Sequence, residues 1–368
     1  MSIRLGSLVI LGVGSCIFLL TQCSSDTPVD VGELTHIAYQ PTPYHLQESD
    51  RFVKMLIPAD NPLTEEGIAL GRKLFFDPIL SRDSTQACVN CHQPEKAFTD
   101  GLAKSLGIRG LEGRRSAMSL VNVGYFYKGL FWDGRMPSLE AQALIPIEDT
   151  LEMDNSWEVV EDRLRLHPEY PAYFRRAFGI TVADSIDRYL VAKALAQYER
   201  TLVSFNAKYD QVMRGESVFS ESEQRGFTIF FDASPETLPV SECGHCHLDP
   251  LFTNLDFLNN GIQEVKTLED FSDVGRGAVT GIRYDNGRFR VPSLRNIELT
   301  APYMHDGRFK TLDEVVDHYA SGGHFAENLN PNVRKLHLSP QDKADLIAFL
   351  RTLTDTTGLQ TPPIEYPL

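Results

Sequence analysis

Cys88-Val89-Asn90-Cys91-His92 and Cys243-Gly244-His245-Cys246-His247 decide how this chain is read. Each is C-x-x-C-H, the pattern by which a c-type haem is attached. Two thiols add across the vinyl groups of the porphyrin, and the adjoining histidine reaches the iron from the proximal side. Six cysteines are spread over 368 residues, and chance does not readily place four of them, two and two, in the same five-residue pattern. The competing readings are disulfides, a zinc site or a thioredoxin-like redox pair. All three leave unexplained the histidine at the same offset in both stretches. Two covalent haem c groups are expected, with His92 and His247 as proximal ligands.

The likeness between the two stretches extends outward. Gly71 to Asp77 reads G-R-K-L-F-F-D and Gly226 to Asp232 reads G-F-T-I-F-F-D, each aspartate eleven positions before the first cysteine of its motif. Ser119-Leu120-Val121-Asn122-Val123 answers Ser293-Leu294-Arg295-Asn296-Ile297. Trp132-Asp133-Gly134-Arg135 answers His305-Asp306-Gly307-Arg308. Helix starts follow at Ser138 and Thr311, the second a capping box with Glu314. The shared order predicts a mostly α protein built as two tandem haem domains related by duplication, over 51–212 and 213–355, with a tail at 356–368 and the seam near 206–220. A long amphipathic helix is expected from Asp184 to about Phe205. Another is expected from Ser339-Pro340, with proline at the first helical position and Leu346, Ile347, Leu350 and Leu353 on its apolar face. Strand signals are sparse. Asn286-Gly287 marks a turn, with a small hairpin as its natural context.

The chain opens with Arg4 and an apolar run from Leu8 to Leu20, which is short of the ~20 residues a spanning helix needs. This is a secretory signal over 1–22, ending at a lipoprotein-like Leu20-Thr21-Gln22-Cys23, although Gln22 stands where a small residue is usual. Cys16 falls inside the signal. Export to the periplasm and a lipid anchor on Cys23 are expected, with 23–50 a flexible tether rich in Ser, Asp, Thr and Pro. The whole chain is 42% hydrophobic and carries a net charge of −15. That balance supports sizeable cores and argues against nucleic-acid binding, which wants a basic footprint.

Matched positions suggest that the two haems differ. Fourteen residues after Trp132 comes Pro146, and fourteen after His305 comes Tyr319. A tyrosine oxygen can ligate haem iron, whereas proline has no donor to offer. The first iron would keep an open position beside Pro146, and the second would be closed by Tyr319. Met304, His305, His318 and His324 are rival ligands, and an ordinary core tyrosine is the bland alternative. An open ferric haem can bind hydrogen peroxide, and cleaving its O–O bond requires a group that moves a proton. No histidine lies between His92 and His167. The local carriers are Glu140, Gln142, Glu148, Asp149, Glu152 and Asp154, any of which could equally be a solvated charge.

From about residue 50 to 355 the chain resembles the bacterial di-haem cytochrome c peroxidase family. The residues that carry the resemblance are Leu74-Phe75-Phe76-Asp77, both C-x-x-C-H motifs, Phe131-Trp132-Asp133-Gly134-Arg135 and Ala301-Pro302-Tyr303-Met304-His305-Asp306-Gly307. The resemblance implies two cytochrome-c-like domains, a peroxidatic N-terminal haem and an electron-accepting C-terminal haem. It also implies Trp132 as the tryptophan between them, and Gln142 and Glu152 as the distal glutamine and glutamate. A calcium ion is implied too, with Thr300 and Pro302 as carbonyl ligands and a third contact near Ser116 or Asn122. Two departures point to the MauG branch, whose enzyme oxidises tryptophans of a partner protein. Ile108-Arg109-Gly110 stands where the usual peroxidases carry a removable distal histidine, and Tyr319 stands where they carry a methionine ligand.

Three functions follow as expectations. The first is reduction of hydrogen peroxide with electrons from a small cytochrome c or cupredoxin, with no conformational activation. The second is oxidation of residues on a partner protein, and the third is plain electron transfer.

Overall fold

Short helices with strong local caps, rather than long periodic ones, build this chain. The structure is a computed structural model that describes residues 32–357 and 359, apart from 48 and 235. The expected signal, Cys16 and Cys23 lie outside the described residues. Thirteen α-helices are present among the described residues. The first six are α1 (Glu65–Phe76), α2 (Cys88–Cys91), α3 (Leu139–Ala143), α4 (Ile145–Glu148), α5 (Trp157–Leu166) and α6 (Tyr170–Phe178). Then come α7 (Arg188–Arg200), α8 (Lys208–Met213), α9 (Glu221–Phe230), α10 (Cys243–Cys246), α11 (Gly277–Thr280), α12 (Leu312–Ser321) and α13 (Pro340–Arg351). One two-stranded antiparallel sheet, β1 (Phe257–Leu258) with β2 (Phe289–Arg290), pairs Phe257 with Arg290 and Leu258 with Phe289. No helix of the described residues is long and apolar enough to cross a membrane.

The caps explain where the helices begin. Thr311 Oγ1 accepts from Glu314 N at 3.2 Å, and the Glu314 carboxylate reaches back to Thr311 N, as the capping box requires. Ser339 accepts from Asp342 N with Pro340 next in line, so α13 starts where its sequence says it should. The helix expected from Asp184 starts later. Asp187, not Asp184, accepts from Leu190 N at 2.9 Å, and Ala183–Ser185 forms a separate 3-10 turn. The helix ends at Arg200, leaving Leu202 in the irregular stretch beyond it. The hairpin expected at Asn286-Gly287 is also corrected. Those residues turn the chain into β2, whose partner lies about thirty residues upstream. The expected tether is another correction. Within 32–50 the chain is laid along the body: Leu34 is buried, its N–H donates to Thr181 O, and Thr42 is bound through N and Oγ1 to the Glu66 carboxylate.

Two main apolar cores and a small third around Leu268, Phe271 and Ala326 are present among the described residues. The larger gathers α1, α5, α6 and α7 around Leu70, Leu74, Phe75, Trp157, Phe174 and Tyr198. The second gathers Tyr209 of α8, Phe230 of α9, Phe252, Val316 of α12 and Phe349 of α13. Each of these two rests on a helix crossing made possible by a glycine. A Cβ on Gly71 of α1 would stand 1.9 Å from the carbonyl oxygen of Ala194 in α7, and one on Gly226 of α9 would stand 1.9 Å from that of Asp345 in α13. No residue with a side chain allows backbones so near.

Candidate active site

Each C-x-x-C-H motif is a single turn of helix, α2 or α10, and the histidine leaves its end. The four cysteines of the two motifs are free thiols. His92 Nδ1 and the carbonyl oxygen of Phe98 are 2.9 Å apart, and His247 Nδ1 and that of Phe252 are also 2.9 Å apart. A carbonyl on Nδ1 makes that nitrogen the donor and leaves Nε2 as the lone-pair nitrogen, the form a haem iron needs. Burial lowers the pKa of both rings, that of His247 to about 4, so both stay neutral. Phe98 and Phe252 can present these carbonyls because each has a positive φ, 59° and 54°. Ser119 Oγ donates to Ala97 O and Ser293 Oγ to Leu251 O, both at 2.6 Å, bracing the two carbonyl loops alike. Burial raises the Cys88 and Cys243 thiols and, with Asp100, takes Cys91 to about 11.

Around the first motif the structure brings together Glu152, Pro146 and the Ile108-Arg109-Gly110 loop. Met153 N donates to Pro146 O at 3.1 Å, and Ile108 N donates to Glu152 O at 2.8 Å. Arg109 grips Asp154 with two bonds, Nε at 2.6 Å and Nη2 at 2.7 Å, and Arg82 adds a third. The loop passes so close that a Cβ on Gly107 would stand 2.0 Å from Leu151 O. Burial, followed by the neighbouring Asp149, pushes the half-buried Glu152 carboxyl up to about 7, against the pull of Arg135 and Arg114. Its charge reaches both Cys88 and Cys91. Gln142 sits half-buried in the last turn of α3. Of the other carboxylates, Glu140 is tied to Arg200 and Asn61, Asp149 to Arg114, and Glu148 is exposed. Pro146 lies at the start of α4, after the helix has already broken at Leu144.

A cavity of about 240 Å³ fronts the second motif, lined by Cys243, Cys246, His247, Met304, Tyr319 and Trp132, among others. Asn260 Nδ2 donates both to Tyr319 Oη at 3.2 Å and to Met304 Sδ at 3.3 Å. The two leading rivals for the sixth position therefore share one amide. Burial raises the Tyr319 phenol to about 12. His305 also lines the cavity, stacked on Phe289 at 3.7 Å. His318 is turned to the carbonyl of Asn260, and His324 is exposed. Trp132 Nε1 donates to Ser116 O at 3.0 Å, while Ser116 N and Oγ donate to the carbonyls of His305 and Met304. Ser116 thus ties the Trp132 segment to the second motif's side of the molecule. Thr300 and Pro302 line this cavity too. The Asn122 amide is bonded at both ends to the backbone of Ser204. Phe98, Phe252 and Asn260 are site residues that the sequence motifs above do not mark. The Phe-Thr pair that follows each motif histidine, Phe98-Thr99 and Phe252-Thr253, was the signal for the first two.

Two thiol pairs, each with a neutral histidine braced from behind, define a protein built for two covalent haems. A family description, di-haem cytochrome c peroxidase, matches residues 65–218. The methylamine utilization protein MauG of Methylorubrum extorquens is 38% identical over 312 residues, covering 83% of this chain and 83% of that protein. Cytochrome-c peroxidase IdrP1 of Denitromonas iodatirespirans is 35% identical over 331 residues, covering 82% and 85%. A crystal structure of a MauG-like protein associated with microbial copper homeostasis superposes with a TM-score of 0.79 at 34% identity, covering 88% of this chain and 99% of that one. The chain belongs to the di-haem cytochrome c peroxidase family. It is an oxidoreductase of the peroxidase type, mostly helical, and its family implies two haem c groups. The free thiols, the neutral histidines and the cavity at the second motif fit that cofactor.

Proposed function

We propose that the protein reduces hydrogen peroxide to water at the first motif, with electrons entering at the second from a small cytochrome c or cupredoxin. The observation that carries this reading is Glu152, a carboxyl raised to about 7 beside the first thiol pair and under a loop that holds no histidine. Haems attached through Cys88 and Cys91 and through Cys243 and Cys246, with His92 and His247 facing the irons, would supply the redox chemistry that passes on two electrons from the donor. Peroxide plus two electrons and two protons gives two waters. Glu152 takes the proton from the inner peroxide oxygen and returns it to the outer one, which becomes the leaving water. Gln142 orients the outer oxygen, and Pro146 leaves the distal side without a donor. Trp132, fixed by Ser116, stands between the two sites. Tyr319, oriented by Asn260, closes the second site in preference to Met304.

Two consequences can be measured. Glu152 must be ionised to accept the first proton, so kcat/KM for peroxide should rise as pH rises through about 7 and be lost below it. A flat profile between pH 5 and 9 would exclude Glu152 as the base. Tyr319→Phe should change the resting ferric spectrum of one haem only, and an identical spectrum would hand the position to Met304.

The family relation also supports a second reading, oxidation of side chains on a partner protein, and Tyr319, placed beside Met304 in the second cavity, favours it. Peroxide-treated protein mixed with its co-purifying partners would then leave a mass change on one of them. A plain electron carrier is the weakest reading, since it gives Glu152 no task. We further infer that the halves are cytochrome-c-like units related by duplication, a view supported by the recurrence of the glycine crossing and of the histidine-to-carbonyl bond. The organisation as 51–212 and 213–355, export by residues 1–22, a lipid anchor on Cys23 and calcium on the carbonyls of Thr300 and Pro302 belong to the same proposal.

A further inference from the structure

Arg290 is a cation without a counterion. It is 2% exposed, in β2, with its guanidinium 5.5 Å from the ring centre of Phe126 and 4.9 Å from that of Phe257. Its backbone N–H donates to Trp132 O at 2.8 Å, and its Nε reaches Phe131 O at 3.3 Å. Nη1 and Nη2 have no hydrogen-bond partner. The nearest charges are another cation, Arg276, and Asp133, whose carboxylate is bound to Arg115 and Arg135 instead. Burial, then Arg276, lowers the Arg290 pKa to about 10. A charged group buried with two donors unmet is costly unless something not made of protein satisfies it. The same residue lines the cavity that holds Cys243, Cys246, His247 and Trp132.

We propose that Arg290 is the counterion of a propionate of the haem held by His247, pairing through Nη1 and Nη2 and fixing the carboxylate edge of that porphyrin on the Trp132 side of the cavity. The thiols grip the vinyl edge of a haem c, and the propionates leave the opposite edge as its only anionic groups. Arginine is suited to this task because its two η nitrogens match the two oxygens of a carboxylate. Arg290 then acts as a positioning residue, and its charge favours the reduced iron of the second site. This rests on the haem assignment of the second motif, not on which substrate the first site turns over.

The test is a redox titration of the intact holoprotein, following each haem by its visible bands, in the parent, Arg290→Lys and Arg290→Met. Covalent haem is counted in parallel. Arg290→Met is expected to lower the midpoint potential of the second haem alone, because a positive charge is removed beside it. Arg290→Lys is expected to fall between the two. Loss of the second haem in Arg290→Met, with both retained in Arg290→Lys, supports the same role. Unchanged potentials with two haems per chain overturn it. So does a shift shared equally by both haems, or loss of haem in both variants. A parent protein carrying fewer than two covalent haems would overturn the haem assignment itself, which is a different failure.

Discussion

Glu152→Gln is expected to slow peroxide turnover by about 10²-fold or more while both haems stay attached. The change keeps the shape of the side chain and removes only its capacity to carry a proton. The bond that pins the neighbouring loop runs from Ile108 N to the backbone oxygen of Glu152, so it survives the substitution. Asp154, held by Arg109 and Arg82, is untouched. The effect should therefore fall on peroxide chemistry and spare electron entry at the second site. Stopped-flow mixing of the oxidised variant with peroxide isolates the first step, and steady-state turnover with a reduced donor reports the whole cycle. Near-parental rates in both would refute the acid–base role. Slow turnover with a fast first step would move Glu152 to a later proton transfer.

Arg295→Met is expected to cost about 3–5 kcal/mol of stability, the usual penalty for leaving one half of a buried ion pair alone. Arg295 is 2% exposed and Asp210 of α8 is 3% exposed. They are joined by two bonds of 2.8 Å, while Arg295 Nε donates to Pro250 O at 2.7 Å. The guanidinium also lies 4.9 Å from the ring centre of Phe52, which belongs to the other core. One side chain thus ties α8, the loop after the second motif and both cores. Without it, the Asp210 carboxylate keeps only the N–H of Ala207, at 3.0 Å. Denaturant midpoints of the holoprotein measure the loss. The double variant Arg295→Met with Asp210→Leu should recover much of it, because the stranded charge is gone. A single-variant loss under about 1 kcal/mol would show that water reaches Asp210 and that the pair is not truly buried.

What the sequence makes legible here is local chemistry repeated twice. The C-x-x-C-H motifs, the Thr311–Glu314 cap and the Ser339-Pro340 start each depend on a few adjacent residues, and all are found where they were read. Choices between neighbours were harder. Asp184 and Asp187 are equally good caps, and only packing selects the second. Long-range pairing was invisible: the laying-down of 32–50 depends on Thr181 and Glu66, and β2 finds its partner at Phe257. Carbonyl roles are hidden in the same way, since any residue has a carbonyl and only a positive φ at Phe98 and Phe252 aims it at a ring nitrogen. Arg290, one charge among many in the composition, gives no sign in sequence that it is enclosed.

The loop beside Glu152 is latched to its neighbours by Arg109, Asp154 and Gly107, and the peroxidase proposed above would need no histidine of that loop to be withdrawn. An enzyme working in that way would have no built-in off position. Its throttle would lie upstream, in how fast oxidant and electrons are delivered, and a cell that wished to idle it would have to starve it.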